Sequence, residues 1–429
     1  MIPVISYKTE EGKKTVRKIF SRSQLEHGNV QEIVNGILKN VKENGDKAVF
    51  EYTKEFDKID LNAETIKVTQ KEIDYAYTQV DENLVRVIRR SAERIRKFHE
   101  KQKINSWFES SENGEIMGQL IRPLENVGVY VPGGKAAYPS SVLMNVIPAH
   151  VAGVKNIYMT TPAQKDGTVY PTTIVAAKEA GVDDIFKIGG AQAIAALAFG
   201  TESVPKVDKI CGPGNVFVAL AKRTVYGYVN IDSVAGPSEI LVLADSSANP
   251  VYAAADLLSQ AEHDEMASAI LITTDEKLAY EVQKEVSKQA NVLERKEIIE
   301  KSIENFGAVI IAENIKEACD IANGVAPEHM EICVNSPFEV LPLIKNAGAI
   351  FLGHYTPEPL GDYMAGPNHV LPTSGTARFF SPLSIDDFIK KSSIISFSKS
   401  ALNELSDDII TFANAEGLTA HANAVRVRK

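Results

Sequence analysis

The sequence has few cysteines, no long apolar run and no excess of positive charge. Its three cysteines, Cys211, Cys319 and Cys333, form no CxxC pair, which argues against a disulfide framework and is typical of a reducing cytoplasm. No run of 18 apolar residues occurs, so we expect no membrane-spanning helix. Residues 1–14 carry charges of both signs and no apolar stretch, so we expect no signal peptide. The net charge of −10 argues against a nucleic-acid-binding protein, because phosphate contacts require clustered positive charge.

The composition is that of a folded, globular protein with 44% hydrophobic and 24% charged residues. With 429 residues the chain is too long for one ordinary domain, and a norm of roughly 150 residues per domain suggests about three lobes. Short apolar runs alternate with helical stretches in the central part of the chain, a pattern typical of parallel sheets in an α/β fold. The predicted strands are 127–131, 157–160, 185–188, 209–211, 240–243, 270–273 and 309–311.

The N-terminal part is expected to be an arm followed by helices. Residues 1–25 are polar and mixed in charge, which indicates an arm. Apolar residues between Val30 and Val41 recur on one helical face, and Gly45 is placed to end that helix. A second long helix is predicted over residues 84–99.

The C-terminal segment, residues 382–429, is predicted to be a small module. Ser384, with Asp387 three residues later, marks a helix start, and a strand is expected at 394–397. The apolar side chains of the following helix are too few to form a core of their own. They must therefore be buried against the chain's own body or against a second chain. These side chains are Leu402, Leu405, Ile409 and Phe412.

Three glycine-containing turns follow predicted strands, at residues 131–134, 188–192 and 211–215. Open α/β sheets bind ligands where strands give way to helices, and glycine there lets main-chain N–H groups approach an anion. None of the three turns is a GxGxxG motif, and each taken alone is typical of a tight strand-to-helix turn. Their occurrence in successive units favours a nucleotide-binding cleft.

Polar residues suited to metal binding or acid–base chemistry occur in four motifs. Gln260 and His263 lie three residues apart on a predicted helix, so they share a face and offer lone pairs to a divalent metal. Glu328 and His329 are adjacent after a proline and suit an acid–base pair. A capped helix end or a surface turn is the alternative for each motif alone. Together, nitrogen and oxygen donors without a cysteine cluster favour one catalytic metal. The other two motifs hold Asp362 with His369 and Glu416 with His421.

The sequence resembles the histidinol dehydrogenase family over nearly its whole length. None of the matching strings is diagnostic alone, and jointly they are specific. They begin near Gly45-Asp46 and Tyr52-Thr-Lys-Glu-Phe56-Asp57 and continue with Gly128-Val-Tyr130-Val-Pro-Gly-Gly134, Gly189-Gly-Ala-Gln192, Gly212-Pro-Gly-Asn215, Ala235-Gly-Pro-Ser238-Glu239, Leu258-Ser-Gln-Ala-Glu-His263, Pro327-Glu-His329 and Gly361-Asp-Tyr363, ending at His421.

The resemblance implies a zinc-dependent oxidation of L-histidinol to L-histidine through the aldehyde L-histidinal, with two NAD molecules reduced. It implies one Zn²⁺ per subunit. The ligand set of zinc also suits cobalt or manganese, so the residues leave the metal open. The implied zinc ligands are Gln260, His263, Asp362 and His421, and the implied acid–base pair is Glu328 and His329. The implied substrate contacts are Ser238, His369 and Glu416 together with the zinc ligands and His329, and the implied NAD contacts are Tyr130, Gln192 and Asn215.

The family's architecture implies two incomplete Rossmann-like parallel-sheet domains, an N-terminal arm and a small C-terminal helical module. The expected main domain joins residues 26–129 with 238–381, and the expected NAD domain covers 130–237. The C-terminal module, 382–429, is expected to complete the active site of a partner subunit in an intertwined homodimer. We expect a cytoplasmic enzyme with no nucleic-acid or membrane partner.

Three other functions remain open at this point. A related metal-dependent NAD alcohol dehydrogenase would share the metal and NAD strings but change the substrate contacts Ser238, His369 and Glu416, which are all present. A zinc hydrolase with Glu328 activating water would leave the three glycine turns without a role. A metabolite-binding protein without catalysis fits poorly with so many titratable side chains in loops.

Overall fold

The computed structural model describes residues 1–20, 28–133, 137–234 and 236–429. Two parallel sheets, each covered by helices, make up most of this part of the chain and confirm the predicted α/β class. The strands are β1 (Val4–Ser6), β2 (Trp107–Ser110), β3 (Glu115–Pro123), β4 (Asn126–Tyr130), β5 (Asn156–Thr160), β6 (Asp184–Phe186), β7 (Lys209–Cys211), β8 (Asn230–Ile231), β9 (Glu239–Ala244), β10 (Ser268–Thr273), β11 (Gly307–Ile311), β12 (His329–Cys333), β13 (Ala349–Leu352) and β14 (Ile389–Phe397).

Helices connect and cover these strands. Among the described residues none of them has the length and continuous apolar character that a bilayer crossing requires. The helices are α1 (Glu10–Phe20), α2 (Gly28–Phe56), α3 (Gln70–Gln79), α4 (Glu82–Glu100), α5 (Pro139–Ala152), α6 (Pro171–Ala180), α7 (Gly190–Phe199), α8 (Val216–Val225), α9 (Pro250–Ala261), α10 (Glu276–Ala290), α11 (Lys296–Phe306), α12 (Ile315–Val325), α13 (Pro337–Val340), α14 (Glu358–Leu360), α15 (Lys399–Ala415) and α16 (Thr419–Arg426).

The larger sheet has six parallel strands in the order β1-β11-β10-β9-β12-β13, and the smaller has five in the order β6-β5-β4-β7-β8. All seven strands predicted from apolar runs are present, within two residues of their expected bounds. Every residue of β9 and β10 is buried, because helices cover both faces of the larger sheet. Continuous apolar strands are what this two-sided burial requires.

The N-terminal segment differs from the arm expected over residues 1–25. Strand β1 pairs in parallel with β11 at the edge of the larger sheet, and Ile2 beside it is fully buried. Helix α1 follows, with Val16 buried against the same sheet. Residues 21–25 of the expected arm lie outside the described residues. The first residues therefore belong to the larger parallel-sheet unit, because their apolar side chains complete its edge.

Helices α2, α3 and α4 pack on the smaller sheet's helices rather than on the larger sheet, contrary to the expected assignment of residues 26–129. Their apolar faces are buried against α5, α6, α7 and α8. Strand β4 also belongs to the smaller sheet, so that unit begins before the expected boundary at residue 130. Gly45 interrupts α2 with a positive φ of 54°, and the helix resumes instead of ending. The Glu202 carboxylate accepts the Asp46 N–H at 2.8 Å and caps the resumed helix.

His99, near the end of α4, is a buried histidine with a structural role. Its Nδ1 lies 2.7 Å from Oε1 of Gln102, and its Nε2 lies 3.4 Å from Nδ2 of Asn368. These partners require Nδ1 to donate and Nε2 to accept. Burial lowers the pKa of His99, because a second ring proton would be desolvated and would point at the Asn368 amide.

The C-terminal segment is anchored to the body by an antiparallel sheet of β14, β3 and β2. Strand β14 pairs with β3 along nine residues, from Ile389 opposite Pro123 to Phe397 opposite Glu115. The predicted helix start at Ser384 and Asp387 is a capping box on a short 3₁₀ turn, Ile385–Phe388.

Two contacts fix the root of this segment to the smaller sheet. The Phe388 ring is fully buried in a core cluster with α5, and the buried Lys209 ammonium lies 2.8 Å from the Asp387 carboxylate. Beyond β14, helices α15 and α16 pack against each other. We call residues 399–429, which contain these two helices, the tail.

Candidate functional site

The Glu328–His329 pair lies where strand β12 begins, between β9 and β13 in the larger sheet. The sequence predicts a surface turn here as the alternative, whereas both side chains are buried. His329 pairs in register with Ile240, the second residue of β9. The pair is therefore at the amino ends of the parallel strands, the edge opposite the one where open α/β sheets usually bind ligands.

His329 is held as a neutral imidazole with one free nitrogen. Its Nδ1 lies 3.0 Å from the main-chain oxygen of Glu239, so Nδ1 carries the proton and donates it to that oxygen. Its Nε2 accepts no hydrogen bond among the described residues. Burial lowers the pKa of His329 to about 4, against the opposing charge of Asp362. At neutral pH the ring therefore presents an available lone pair at Nε2.

Glu328 is a buried carboxyl group beside this imidazole. One oxygen, Oε2, accepts the Glu239 N–H at 2.9 Å and lies 3.6 Å from Nδ1 of His329. Burial raises the pKa of Glu328 well above its usual value, because the charged form is desolvated. Titratable groups of this kind, displaced in opposite directions and adjacent in a buried site, are typical of acid–base catalysis.

Asp362 lies in a π-helical turn, Gly361–Ala365, that follows α14. Its Oδ1 is 3.2 Å from Nδ1 of His369. Burial alone would raise the pKa of Asp362, but the bond to His369 and the charges of His369, His329 and His263 lower it to about 2. Asp362 is therefore an ionised carboxylate surrounded by histidines.

Gln260 lies in the last turn of α9, and His263 is the second residue after that helix. The Gln260 side chain is fully buried, and its Nε2 is 3.4 Å from Nδ1 of His263. The Gln260 carbonyl oxygen, Oε1, has no hydrogen-bond partner among the described residues. His263 keeps an exposed side, although burial of the rest of the ring lowers its pKa, against the charge of Asp362.

Glu358, at the start of α14, is a member of the site that sequence reasoning missed. Burial, followed by the charge and hydrogen bond of Asp362, raises the pKa of Glu358 to about 9. Its Oε1 lies 3.6 Å from Nε2 of His329, and its N–H donates to the buried Glu331 carboxylate at 2.8 Å. No local pattern marks Glu358, because only the fold brings it beside His329.

These side chains form one group, which we call the acid–histidine cluster: Glu328, His329, Glu358, Asp362 and His369. Ligand atoms of His329, Glu358 and Asp362 lie within 4.8 Å of one another. Of the four implied zinc ligands, this triad contains Asp362, and Gln260 and His263 lie beside it. Ser238 is half-buried just before β9.

The two remaining residues of the predicted site lie elsewhere. Glu416 and His421 are exposed in the tail. Among the described residues, the candidate metal cluster includes no residue of the tail. One chain therefore brings together the body residues of the expected site, and the tail residues point to solvent.

The residues implied as NAD contacts lie at the carboxyl ends of the smaller sheet's strands. Tyr130 ends β4, and its hydroxyl accepts the Gly190 N–H at 3.2 Å, in the turn that precedes α7. Burial raises the pKa of Tyr130 to about 12. The buried Gln192 Oε1 has no hydrogen-bond partner among the described residues. Asn215 caps α8, where its Oδ1 accepts the N–H groups of the two residues after Val216 at 3.0 and 3.2 Å.

Gly212, after β7, is held by a buried ion pair. Its φ is 111°, and a Cβ there would collide with the main-chain oxygen of Tyr130. Its N–H donates to the Asp232 carboxylate, and its oxygen accepts from the Lys222 ammonium, both at 2.8 Å. Lys222 and Asp232 also pair with each other, and their side chains are only 2% and 5% exposed. We call Lys222, Asp232 and the Gly212 main chain the glycine clamp.

A short segment of the chain joins the glycine-lined edge of the smaller sheet to the edge of the larger sheet that carries the acid–histidine cluster. Strand β8 ends at Ile231 and β9 begins at Glu239, so seven residues lead from the carboxyl edge of the smaller sheet to the amino edge of the larger one. An extended chain spans at most about 3.5 Å per residue, so the two edges are separated by no more than about 28 Å.

A neutral base, carboxyl groups with raised pKa and a carboxylate among histidines, next to a glycine-lined edge, are typical of an α/β enzyme of the oxidoreductase class. Comparison with known proteins gives the family. Residues 20–429 match the histidinol dehydrogenase family, and the chain belongs to it.

Curated relatives match over the full length. The histidinol dehydrogenase of Caldanaerobacter subterraneus subsp. tengcongensis is 58% identical over 428 residues, covering 100% of this chain and 99% of that protein. The histidinol dehydrogenase of Clostridium acetobutylicum is 55% identical over 428 residues, with the same coverage. The crystal structure of histidinol dehydrogenase from Elizabethkingia anophelis superposes with a TM-score of 0.94 at 38% identity, covering 100% of this chain and 98% of that one.

Proposed function

We propose that this protein oxidises L-histidinol to L-histidine through L-histidinal, with two molecules of NAD reduced. Family membership supports the reaction, and the observation that carries it is the neutral, buried His329 with a free Nε2 between two carboxyl groups. Each oxidation removes a hydride from the same carbon and a proton from a hydroxyl group on that carbon. The second oxidation also consumes one water, so the site must move protons to and from both an alcohol and a hydrated aldehyde.

His329 is the base for the alcohol proton. Because its Nδ1–H is fixed on the main-chain oxygen of Glu239, the lone pair of Nε2 faces the cluster in a single tautomer. A neutral imidazole accepts a proton as the hydride leaves, whereas an imidazolium would not. The lowered pKa of His329 keeps the ring neutral throughout the physiological range.

Glu328 is the base for the water that adds to the aldehyde. A carboxyl group with a raised pKa is a stronger base, once ionised, than an ordinary carboxylate, so it takes a proton from water more readily. The Glu239 N–H fixes one oxygen of Glu328 and so orients the group. His329 and Glu328 thus serve different proton transfers within one site.

The body residues suit a divalent metal. The buried Gln260 Oε1 lacks a donor among the described residues, Asp362 is ionised, and the partly exposed His263 lies beside Gln260 and feels the charge of Asp362. We propose that Gln260, His263 and Asp362, with His421, hold one Zn²⁺ per subunit, and that Ser238, His369 and Glu416 contact the substrate. When bound, the zinc ion holds the substrate's nitrogen atoms and NAD accepts the hydride. The orphaned Gln192 Oε1 and the turns at Tyr130 and Asn215 fit the cofactor.

The missing fourth ligand supports a shared site. His421 and Glu416 lie on the tail, whose apolar side chains Ile409 and Phe412 are 37% and 71% exposed in the single chain. We propose that the tail covers the body of a second copy in an intertwined homodimer, so that each site takes His421 from the partner. Mixing a His263→Ala chain with a His421→Ala chain then restores one intact site per heterodimer. If heterodimers form and activity stays absent, the tail serves its own body.

The location in the cytoplasm stays a prediction, and the three buried, unpaired cysteines are consistent with it.

The reaction is tested by its stoichiometry. Zinc-loaded protein is given limiting L-histidinol with excess NAD, and NADH absorbance and L-histidine are both quantified. We expect two NADH and one L-histidine per L-histidinol. Accumulation of L-histidinal with one NADH would instead indicate an ordinary alcohol dehydrogenase and would refute the proposal. His329→Asn, which keeps a hydrogen-bonding side chain without a base, is the inactive control.

A further inference from the structure

Asp57, the first residue after α2, carries a buried carboxylate oxygen without a partner. Its N–H donates to the Thr53 oxygen at 2.9 Å, which completes the helix end. Its Oδ2 is shielded from solvent and accepts no hydrogen bond among the described residues. Leaving such a buried acceptor unsatisfied destabilises the folded chain. Burial also raises the pKa of Asp57. We therefore expect a bound ligand to supply the hydrogen-bond donor for Asp57 Oδ2.

The position of Asp57 identifies the ligand's binding edge. The charge of Asp57 contributes to the raised pKa of Tyr130, so the two groups lie near each other. The Tyr130 hydroxyl in turn accepts the N–H of Gly190, at the turn before α7. A second orphaned acceptor, Gln192 Oε1, lies in the first turn of that same helix. Asp57 therefore belongs to the glycine-lined edge of the smaller sheet.

Space for a nucleoside lies beside Asp57. Residues 58–61, which follow it directly, line a cavity of about 410 Å³ together with Thr65, residues 165–167 and Lys187. Lys187 immediately precedes the turn that contains Gly190. The volume is within the range of roughly 300–1,000 Å³ that is typical of small-ligand sites.

The chemistry of an orphaned acceptor selects one part of a dinucleotide. Ribose hydroxyls donate hydrogen bonds, whereas phosphate oxygens accept them and carry negative charge. A carboxylate therefore attracts a ribose diol and repels a phosphate on it. The cavity beside Asp57 is lined by residues that pack with the smaller sheet, whereas the acid–histidine cluster lies on the larger sheet. We therefore assign to Asp57 the half of the cofactor that lies away from the reacting carbon.

We propose that Asp57 accepts hydrogen bonds from the 2′- and 3′-hydroxyls of the adenosine ribose of NAD and excludes the 2′-phosphate of NADP. The inference rests on the proposed function, in which NAD is the hydride acceptor. It makes Asp57 the residue that determines cofactor specificity, supplied by a helix outside the sheet instead of by a strand end within it.

The test compares Asp57→Asn with the wild type in cofactor binding and in turnover. Equilibrium binding of NAD and NADP is measured by calorimetry without substrate, and steady-state constants are measured with L-histidinol. Loss of the charged acceptor should weaken NAD binding about tenfold, with kcat within about twofold, and should reduce the preference for NAD over NADP by about tenfold or more. Asp74→Asn is the control, because Asp74 is exposed on α3, accepts a hydrogen bond from Gln70 at 2.8 Å and does not line the cavity.

A cofactor analogue tests the same contact without relying on the variant's folding. The wild type should bind 2′-deoxyadenosine NAD about tenfold more weakly than NAD, and Asp57→Asn should bind the two alike. If the wild type binds the analogue and NAD equally, or if Asp57→Asn behaves as Asp74→Asn does, the assignment of Asp57 is refuted while the oxidation of L-histidinol by NAD stands. If the wild type reduces no NAD with L-histidinol, the proposed function itself fails.

Discussion

The glycine clamp offers a prediction whose size follows from burial. Changing Lys222 to Met keeps most of the side chain's volume but removes the ammonium that bridges Asp232 and the Gly212 oxygen. The Asp232 carboxylate is then left buried without a cation, with the N–H groups of Gly212 and Ser233 as its donors. The change therefore produces an uncompensated buried charge, which is the costly way to break an ion pair.

The magnitude is that of breaking a buried pair, about 3–5 kcal/mol of unfolding free energy. Because Gly212 holds a left-handed conformation against Tyr130, the turn after β7 should also lose its position. NAD binding should weaken more than kcat falls, since the clamp holds the cofactor edge and touches no member of the acid–histidine cluster. Adding Asp232→Asn to Lys222→Met should recover part of the loss, because the second change removes the uncompensated charge.

Urea unfolding at one fixed protein concentration measures the free energy of unfolding. The KM for NAD reports whether the turn after β7 keeps its position. Lys301→Met is the matched control, because Lys301 pairs with Glu265 at the surface, where both side chains are more than half exposed. That variant should unfold at the same urea concentration as the wild type. The reasoning is refuted if Lys222→Met is as stable as Lys301→Met, or if the double variant is less stable than Lys222→Met alone.

Three further results are expected. Glu328→Gln should slow the oxidation of L-histidinal far more than that of L-histidinol, while His329→Asn should slow both; single-turnover assays decide, and equal losses for Glu328→Gln would contradict its role with water. His263→Ala should lower the zinc content measured by elemental analysis while circular dichroism stays unchanged; full zinc occupancy would remove His263 from the ligands. Since the folded state lowers the pKa of His99, the unfolded chain binds a proton below about pH 6.5 that the native state resists, so the melting temperature should fall from pH 7 to pH 5. His99→Gln should flatten that profile, and an unchanged slope would contradict the assignment.

The apolar pattern predicted the sheets' buried strands because their sequences are almost purely apolar. Strands β9 and β10 are buried on both faces and read directly as hydrophobic runs. The short edge strand β1 was not predicted, because Val4–Ser6 is only half-buried and too short to show a periodic pattern. The sequence also could not predict that α2 to α4 pack on the smaller sheet's unit, because the apolar face of a helix does not identify the element against which it packs.

Strand β12, which begins at the proposed base His329, was missed for a related reason. Strand β12 alternates polar and apolar residues, with His329 and Glu331 buried on one face where a central strand ordinarily carries aliphatic side chains. Buried titratable groups in a sheet centre violate the local rules of folding, and such violations concentrate at functional sites. Four polar motifs singled out most of the proposed site residues and the family resemblance gave them roles, whereas Glu358 joins the site only through the path of the chain after β13.

Strand β7 connects two parts of the molecule that the proposed reaction needs at once. Its three residues run from Lys209, which holds Asp387 at the root of the C-terminal segment, to Cys211, which leads into the clamped Gly212 turn. Ordering of this strand therefore stabilises both the glycine-lined edge of the smaller sheet and the anchor of the tail. If bound NAD orders this strand, it should strengthen the association of two chains through their tails. By thermodynamic linkage, assembly of the dimer should then increase the affinity for NAD by the same factor. Sedimentation at several NAD concentrations measures this linkage, and a dissociation constant that does not change with NAD would show the two ends of β7 to be independent.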